Sequence, residues 1–371
     1  MKRSPRILFA GGGTGGHVYP AIAIADAVRA LEPEAAIAFA GTVDHMEWEA
    51  VPKAGYEIHP ITVSGFQRKL TIRNVLFPFK LLKGMWQSWD LVGAFDADVA
   101  VGTGGYVSGP VLMMANWRRR PTLLQEQNAY AGVTNRLLSK NAAQIHVAFP
   151  EAMEAFPKEK CRLSGNPTRE ELRNIDHAEA RAHFEVLEDA ALLLVFGGSL
   201  GSQALNDAME KNLAAMLADE NVYIIWQTGR RYFQKLHSRV EPHPRLRLLQ
   251  YIDRMDLAYA AADVALCRAG AITCSELMVT GTPAILVPSP NVAEDHQTKN
   301  AMSMAKAGAA VLIPEQQLDD ALLQEAPALL QDQSRRDQMT AAAREVARPD
   351  AAREIARQVL ALAGWDDEDD N

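Results

Sequence analysis

Residues 7–25 read ILFAGGGTGGHVYPAIAIA, a glycine-rich loop between two apolar segments. The apolar residues before Gly11 predict a buried strand, and the Ala/Ile run after Pro20 predicts a helix with proline in its first turn. Because glycine has no Cβ, a ligand can approach the backbone amides at the start of this helix. The stretch therefore predicts a strand, a ligand-binding loop and a helix.

The same glycines, Gly11, Gly13 and Gly16, match the dinucleotide-binding pattern G-x-G-x-x-G. A site for NAD or FAD also needs an acidic residue at the end of the second strand, where it binds ribose. The second predicted strand, residues 36–40, runs instead into Gly41 and Thr42. The missing acid disfavours a dinucleotide site and leaves a phosphate-binding loop as the interpretation.

The composition is typical of a globular protein with two domains, since 371 residues are too many for one ordinary core. Three cysteines without C-x-x-C spacing indicate reduced thiols in the cytosol. The longest apolar run is shorter than the roughly 18 residues of a membrane-spanning helix, so any membrane contact should be peripheral. Residues 1–165 hold 18 basic and 14 acidic side chains, against 20 and 32 in the remainder, so the N-terminal half should face an anionic surface.

Strand–loop–helix patterns like the first recur at residues 98–110, 192–202 and 263–276. Two such loops follow each other in the same order in each half of the chain. The repetition predicts an α/β protein with two Rossmann-like domains, each with a parallel sheet, whose loop edges face a central cleft. We place the domains at 1–165 and 166–345, followed by a helix at 346–365 that could cross back to the first domain and an acidic tail at 366–371.

Residues 70–89 combine apolar and aromatic side chains with cations, and the first acidic residue after them is Asp90. That composition suits a helix lying in a membrane interface, and Trp117 with Arg118 to Arg120 would add a second basic, aromatic spot. An amphipathic helix packed on the sheet would give the same pattern. Both interpretations stay open.

Two helix N-termini in the second half could bind a diphosphate without a metal ion, helped by Arg169 or Arg268. The Asp96-Ala97-Asp98 segment imitates a metal-binding D-x-D motif, but it precedes its strand, whereas ligands bind beyond the strands' carboxyl ends. We therefore interpret it as a solvated turn and expect no metal or other cofactor.

Glu276 and His17 are the candidate functional side chains of these loops. Glu276 falls one turn inside a predicted helix, where it could accept hydrogen bonds from a ribose or simply interact with the helix dipole. His17 follows Gly16, where a neutral imidazole could act as a general base or merely cap the loop.

Six motifs, taken together and in this order, resemble the MurG family of bacterial cell-wall glycosyltransferases over nearly the whole chain. They are Gly11 to His17, Gly104 to Pro110, Glu126-Gln127-Asn128, Gly165-Asn166-Pro167 with Arg169, Gly197-Gly198-Ser199, and Arg268 to Ala271 with Thr273, Ser275 and Glu276.

The resemblance implies a GT-B fold and transfer of N-acetylglucosamine, with inversion, from UDP-N-acetylglucosamine to the C4 hydroxyl of undecaprenyl-diphosphoryl-N-acetylmuramyl-pentapeptide. It implies a peripheral enzyme on the cytoplasmic face of the membrane. Its partners would be the two substrates and an anionic membrane surface, without nucleic acid.

The family likeness also assigns residues, with His17 as the favoured catalytic base. The second domain would bind the donor, with Ile252 at uracil, Glu276 at ribose, Ser199 at the diphosphate and Gln297 at the sugar. The other expected substrate-binding residues are Thr14, Gly15, Gly16 and Asn128 in the first domain, and Arg169, Ala271, Ile272, Thr273, Cys274 and Ser275 in the second.

Two positions depart from the family pattern, namely Leu200, where many members have Gln, and His296, where some have Gln. Either could change how the sugar hydroxyls are held. Rival interpretations are a nucleotide-sugar epimerase, a diacylglycerol glycosyltransferase, or a non-catalytic binding subunit. The last would be expected to lack one glycine loop or His17, and both are present.

Overall fold

The computed structural model describes residues 3–63, 77–173 and 175–365. The chain divides into two compact units, residues 1–168 with 349–371 and residues 169–348. The predicted acidic tail at 366–371 and the first part of the predicted interfacial segment, residues 70–76, lie outside the described residues.

The first unit is built on a parallel sheet of seven strands within the described residues. In chain order its elements are β1 (Arg6–Gly11), α1 (Gly15–Leu31), β2 (Ala36–Gly41), α2 (Glu47–Lys53), β3 (Glu57–Pro60), α3 (Phe77–Ala94), β4 (Val99–Gly104), α4 (Ser108–Trp117), β5 (Thr122–Glu126), α5 (Val133–Leu138), β6 (Gln144–Val147) and β7 (Cys161–Leu163). The strand order is β3-β2-β1-β4-β5-β6-β7, so the order reverses between β1 and β4.

The second unit has a parallel sheet of six strands within the described residues. Its elements are α6 (His177–His183), β8 (Ala191–Phe196), α7 (Gln203–Met216), β9 (Val222–Gln227), α8 (Phe233–His237), β10 (Leu246–Leu249), α9 (Met255–Ala261), β11 (Val264–Cys267), α10 (Ala271–Thr280), β12 (Ala284–Leu286), α11 (His296–Lys306), β13 (Ala310–Leu312), α12 (Leu318–Gln331) and α13 (Gln333–Val346). The order β10-β9-β8-β11-β12-β13 reverses between β8 and β11.

The central strands, such as β4, β8 and β11, are almost wholly buried and mostly apolar because helices cover both faces of each sheet. In β1, Ile7 and Phe9 belong to one buried cluster, while Leu8 and Ala10 belong to the cluster on the opposite face. This alternation follows from the two-residue period of a strand. The predicted α/β fold with two parallel-sheet, Rossmann-like domains is confirmed.

A last helix, α14 (Ala351–Leu362), packs on α1 and belongs to the first unit. Its buried side chains include Ile355 and Val359, which complete the cluster around Phe9. At its start, Ser164 donates a hydrogen bond of 3.0 Å to Glu354. The chain therefore leaves the first unit after residue 168 and returns to it at residue 349.

Candidate active site

The first candidate site lies where the strand order of the first sheet reverses. Loops that follow β1 and β4 begin at the same carboxyl edge of the sheet, and ligands of such sheets bind in the crevice at this point. A Cβ on Gly105, whose φ is +80°, would collide with the carbonyl oxygen of Gly12. Glycine at this position therefore allows the two loops to touch.

The predicted residues Thr14, Gly15 and Gly16 form the start of α1 at this edge. Thr14 is the N-cap, and its carbonyl oxygen accepts from the amides of His17 and Val18 at 3.1 Å each. Thr14 and Gly16 are exposed and Gly15 is half-buried. The first turn of α1 is thus exposed to solvent, and its predicted role in ligand binding stays a prediction.

A buried carboxylate that the sequence analysis missed holds the glycine loop. Glu47 is inaccessible to solvent, and it accepts hydrogen bonds from Gly13 N at 3.0 Å, Thr42 N at 3.1 Å and Thr42 Oγ1 at 2.6 Å. Burial alone would raise the pKa of Glu47, but the hydrogen bonds from Thr42 and Gly13 lower that pKa below its ordinary value. The loop is therefore tied to an ionised side chain.

His17 lies beside Gln127, with 2.9 Å between the imidazole Nδ1 and the amide Oε1. The amide cannot be turned around, because its Nε2 donates to two carbonyl oxygens, that of Thr103 at 2.7 Å and that of Gln125 at 3.0 Å. Oε1 is then an acceptor, so Nδ1 must carry the hydrogen in the neutral ring. The unprotonated lone pair of His17 is on Nε2.

Neighbouring residues fix the position of His17 and of Asn128. A Cβ on Gly104 would lie 2.7 Å from the Nδ1 of His17, so only glycine leaves room for the ring. The buried Glu126 accepts from Asn128 N at 3.1 Å, Gly132 N at 3.0 Å and Asn135 Nδ2 at 2.8 Å. The loop that carries Asn128 is thereby closed around one carboxylate.

The second candidate site lies between β8 and β11, where the order of the second sheet reverses. Ser199 is exposed in the loop after β8. Gly270 caps α10, and Ala271, Ile272 and Thr273 form its first turn. Cys274, the next residue of this helix, is fully buried.

Glu276 lies on α10 and has a hydrogen-bond donor at each carboxylate oxygen. Arg169 Nη2 is 3.1 Å from Oε1, and the buried Tyr259 hydroxyl donates to Oε2 at 3.1 Å. Burial raises the pKa of Glu276, although the Arg169 guanidinium opposes this increase. Since the Arg169 side chain is 52% exposed, it is the partner that a ligand could displace.

Gln227, a second residue that the sequence analysis missed, joins two loops of this site. Its Oε1 accepts from the backbone amide of Ile252 at 2.8 Å, and its Nε2 donates to the carbonyl oxygen of Gly198 at 3.0 Å. The Gln227 side chain is buried. It therefore sets the spacing between the predicted uracil contact and the predicted diphosphate loop.

The two arginines proposed to bind the diphosphate, Arg169 and Arg268, differ in their surroundings. Arg268 is mostly buried, donates to the carbonyl oxygens of Val287 and Pro288, and forms an ion pair with Glu315. Its guanidinium is thus engaged in the protein, and the proposal that it binds a diphosphate is withdrawn.

The structure also places Gln297 at the start of α11, where its Oε1 accepts from the amide of Ser289 at 2.8 Å.

Ser275 is buried next to Glu276 on α10. The Asp96 and Asp98 carboxylates form ion pairs with Arg3 in the turn before β4. Within the described residues, no three His, Cys, Asp or Glu side chains are grouped as they would be around a metal ion.

Both units match family models of known proteins. Residues 7–147 match the N-terminal domain of glycosyltransferase family 28, and residues 192–355 match its C-terminal domain. The fold and the two sites thus define a family 28 glycosyltransferase of the GT-B class.

Comparison with individual proteins shows which glycosyltransferases of this family the chain resembles in sequence. The UDP-N-acetylglucosamine–N-acetylmuramyl-(pentapeptide) pyrophosphoryl-undecaprenol N-acetylglucosamine transferase of Salinibacter ruber is 60% identical over 97% of this chain and 98% of its own length. The protein of that name from Christiangramia forsetii is 44% identical over 98% and 99%. The crystal structure of Acinetobacter baumannii MurG superposes with a TM-score of 0.78 at 29% identity, over 96% of this chain and 99% of that one. This chain belongs to the MurG family.

Proposed function

We propose that this enzyme transfers N-acetylglucosamine from UDP-N-acetylglucosamine to the C4 hydroxyl of undecaprenyl-diphosphoryl-N-acetylmuramyl-pentapeptide, in peptidoglycan synthesis, with inversion at the anomeric carbon. The names of its relatives support the substrate pair. The contact between His17 and Gln127 carries the mechanism, because it leaves Nε2 of His17 as a proton acceptor.

In the proposed mechanism the acceptor hydroxyl displaces UDP from the donor sugar in a single step. The acceptor C4 hydroxyl gives its proton to Nε2 of His17 as its oxygen bonds to the anomeric carbon of the donor sugar. The bond between that carbon and the β-phosphate oxygen breaks, and UDP leaves with the electron pair. Attack opposite the leaving group inverts the anomeric centre, and the transition state resembles the oxocarbenium ion of glycoside hydrolysis.

The second unit would bind the donor. Glu276 accepts hydrogen bonds from the ribose hydroxyls after Arg169 moves aside, and Tyr259 keeps the carboxylate in position. Ile252 contacts uracil and Gln297 the sugar. In the first unit, Thr14 to Gly16 and Asn128 contact the acceptor.

The leaving diphosphate would be stabilised without a metal ion. Ser199 offers a hydroxyl in a glycine loop, and the first turn of α10 offers backbone amides at the positive end of the helix dipole. A helix N-terminus stabilises an anion by about 0.3 to 1 kcal/mol when exposed and up to about 2 kcal/mol when partly buried.

The membrane contact would be peripheral, on the cytoplasmic face. The apolar face of α3, defined here as Phe79, Leu82 and Trp86, is 64–68% exposed, and Lys80 and Lys83 lie beside it on the helix. Such a face with flanking cations suits the interface of an anionic membrane. No helix among the described residues is both long and apolar enough to cross a bilayer.

The first test is transfer by the purified protein from radiolabelled UDP-N-acetylglucosamine to a soluble-chain analogue of the muramyl-pentapeptide lipid, in EDTA. Label in the lipid product supports the transferase and its metal-free diphosphate site. Recovery only after adding magnesium would keep the transferase and refute the metal-free site. No transfer under either condition would favour another acceptor or a non-catalytic binding subunit.

A further inference from the structure

A cavity of about 340 Å³ lies in the first unit where α3 and α4 end. It is bordered by Trp89 and Gly93 of α3, Trp117 of α4, and the consecutive Arg118 to Arg120. Asp96 also borders it, in the turn before β4, so the cavity is at the amino edge of the sheet. His17 lies beyond the opposite, carboxyl edge, and the cavity is therefore separate from the candidate active site.

Arg118 is held in this cavity by an aromatic ring. Its guanidinium carbon lies 4.0 Å from the centre of the Trp89 ring, and a Cβ on Gly93 would come within 2.6 Å of that carbon. The Nε of Arg118 is buried and has no hydrogen-bond acceptor among the described residues. The guanidinium is therefore positioned by stacking on Trp89 and not by a hydrogen bond from its Nε.

Arg119 has a backbone conformation that usually favours glycine. Its φ is +58°, and its amide donates to Asn116 O at 2.9 Å, which ends α4. Glycine would make this turn without the cost of a side chain in the left-handed region. The residue present instead adds a cation at the rim of the cavity.

The acidic side chain of the cavity is already neutralised. Asp96 forms ion pairs with Arg3 and, at 2.8 Å, with Arg120. In the part of the chain that the structure describes, neither Arg118 nor Arg119 has a carboxylate partner. Two guanidinium groups therefore remain for an anion.

We infer that this cavity binds a phosphate group, either that of a lipid headgroup or a free phosphate ion. Guanidinium groups present planar, paired donors that match phosphate oxygens, and the indole rings of Trp89 and Trp117 provide the amphipathic flanks that a headgroup region favours. The inference goes beyond the transferase activity. If the phosphate belongs to a lipid headgroup, the cavity is a specific binding site within the proposed membrane contact, in addition to the apolar face of α3.

The test follows the indole NH resonances of Trp89 and Trp117, assigned with Trp89→Phe and Trp117→Phe. The full-length protein is titrated with inorganic phosphate, and separately with dihexanoyl phosphatidylglycerol below its micelle concentration, at constant ionic strength. A saturable shift of both resonances supports the site. Saturation by both compounds identifies recognition of phosphate itself, and saturation by the lipid alone identifies a headgroup site.

Two variants and a control exclude diffuse charge attraction. Gly93→Ala keeps every charge but displaces the Arg118 guanidinium, and Arg118→Gln removes that charge; each should weaken binding by about tenfold or more. Lys53→Gln removes an equal charge from an exposed position of α2 outside the cavity and should leave the affinity within about twofold. Absence of saturable binding, or equal weakening in the Lys53 variant, would overturn the inference.

The transfer assay separates this inference from the proposed function. Transfer by a wild-type protein that shows no saturable phosphate binding would refute the cavity site alone. Saturable binding without any transfer would keep the cavity site and refute the proposed function.

Discussion

The side-chain amide of Gln127 accepts from Nδ1 of His17 at 2.9 Å, and this contact determines which nitrogen of the imidazole can receive a proton. The two residues are 110 positions apart in the chain, after β1 and after β5. An imidazole held in this tautomer could act as the proposed general base without further rearrangement.

His17→Ala should therefore reduce kcat by roughly 100- to 10,000-fold, the usual contribution of a general base. The dissociation constant for UDP-N-acetylglucosamine should stay nearly the same, because the base acts on the acceptor. Transfer assays and calorimetry measure the two quantities. Unimpaired turnover would remove His17 from the mechanism.

A matched variant, Gln127→Leu, tests the tautomer argument. It keeps His17 but removes its acceptor, so kcat should fall by a smaller factor while donor affinity is again retained. Gln234→Leu, at an exposed position of α8, serves as the control.

Gln227→Glu should weaken binding of the donor with little effect on kcat. The change keeps an oxygen that accepts from Ile252 N, but it places a carboxylate oxygen against the carbonyl oxygen of Gly198 and breaks the link to the Gly198 loop. An unsatisfied buried group costs about 1 to 3 kcal/mol, a roughly 5- to 150-fold increase in the KM for UDP-N-acetylglucosamine. The exposed Gln234→Glu is the control, and a normal KM with a reduced kcat would contradict the assignment.

Donor affinity should depend on pH through Glu276. Burial raises the pKa of this carboxyl above its ordinary 4.5, so it takes up a proton at a higher pH than an exposed glutamate does. As the pH falls through the raised pKa, the carboxylate loses its charge and the capacity to accept two ribose hydrogen bonds, so affinity decreases. Calorimetry with UDP-N-acetylglucosamine should show this decrease in the wild type, whereas Glu276→Gln should bind weakly at every pH.

Glu47→Gln should destabilise the first unit. The variant keeps the shape but replaces a charged acceptor of three hydrogen bonds with a neutral amide, for about 1 to 3 kcal/mol of lost stability. The wild-type pKa is lowered, so this stability is fully present above the ordinary value of 4.5 and disappears as the pH falls through the lower folded-state value. Thermal unfolding should show a gap between the proteins at neutral pH that closes in acid, and the exposed Glu49→Gln should show none.

Replacing Leu82 and Trp86 by serine should weaken sedimentation with phosphatidylglycerol vesicles. Burying an apolar side chain contributes about 1.5 to 3 kcal/mol, so the loss of two, about 3 kcal/mol or more, should reduce partitioning by at least about 100-fold. Leu187→Ser, at an equally exposed leucine of the second unit, is the control. Unchanged sedimentation would favour a helix that merely packs on the sheet.

The sequence predicted the features that depend on local pattern. The glycine loops after β1, β4, β8 and β11 stand out because a short apolar run ends in small residues and a helix follows. His17 and Glu276 could be singled out because they belong to those loops or helices.

It did not predict the residues that act through distant partners. Gln127 belonged to a family motif, but the motif assigned it no role. Glu47, Gln227 and Tyr259 belonged to no motif. Each of these residues is a single polar group, and only folding determines its partner. A polar residue at the end of an apolar strand, as Gln227 is after Trp226, is a signal that could have been used. At Arg268 the sequence suggested a ligand contact that the structure does not support. Its position next to a glycine loop suggested that it binds a diphosphate, but in the folded protein it forms an ion pair with Glu315.

The return of α14 to the first unit has a consequence for synthesis on the ribosome. A nascent chain that has reached residue 348 already contains every strand of the first sheet, but the surface of α1 still lacks Ile355 and Val359. The second unit is continuous in sequence and can complete its core earlier, whereas the earlier-made first unit must wait until α14 has been synthesised. Truncation just before Ala351 would therefore expose apolar surface in the unit that carries His17, more than 300 residues away from the cut.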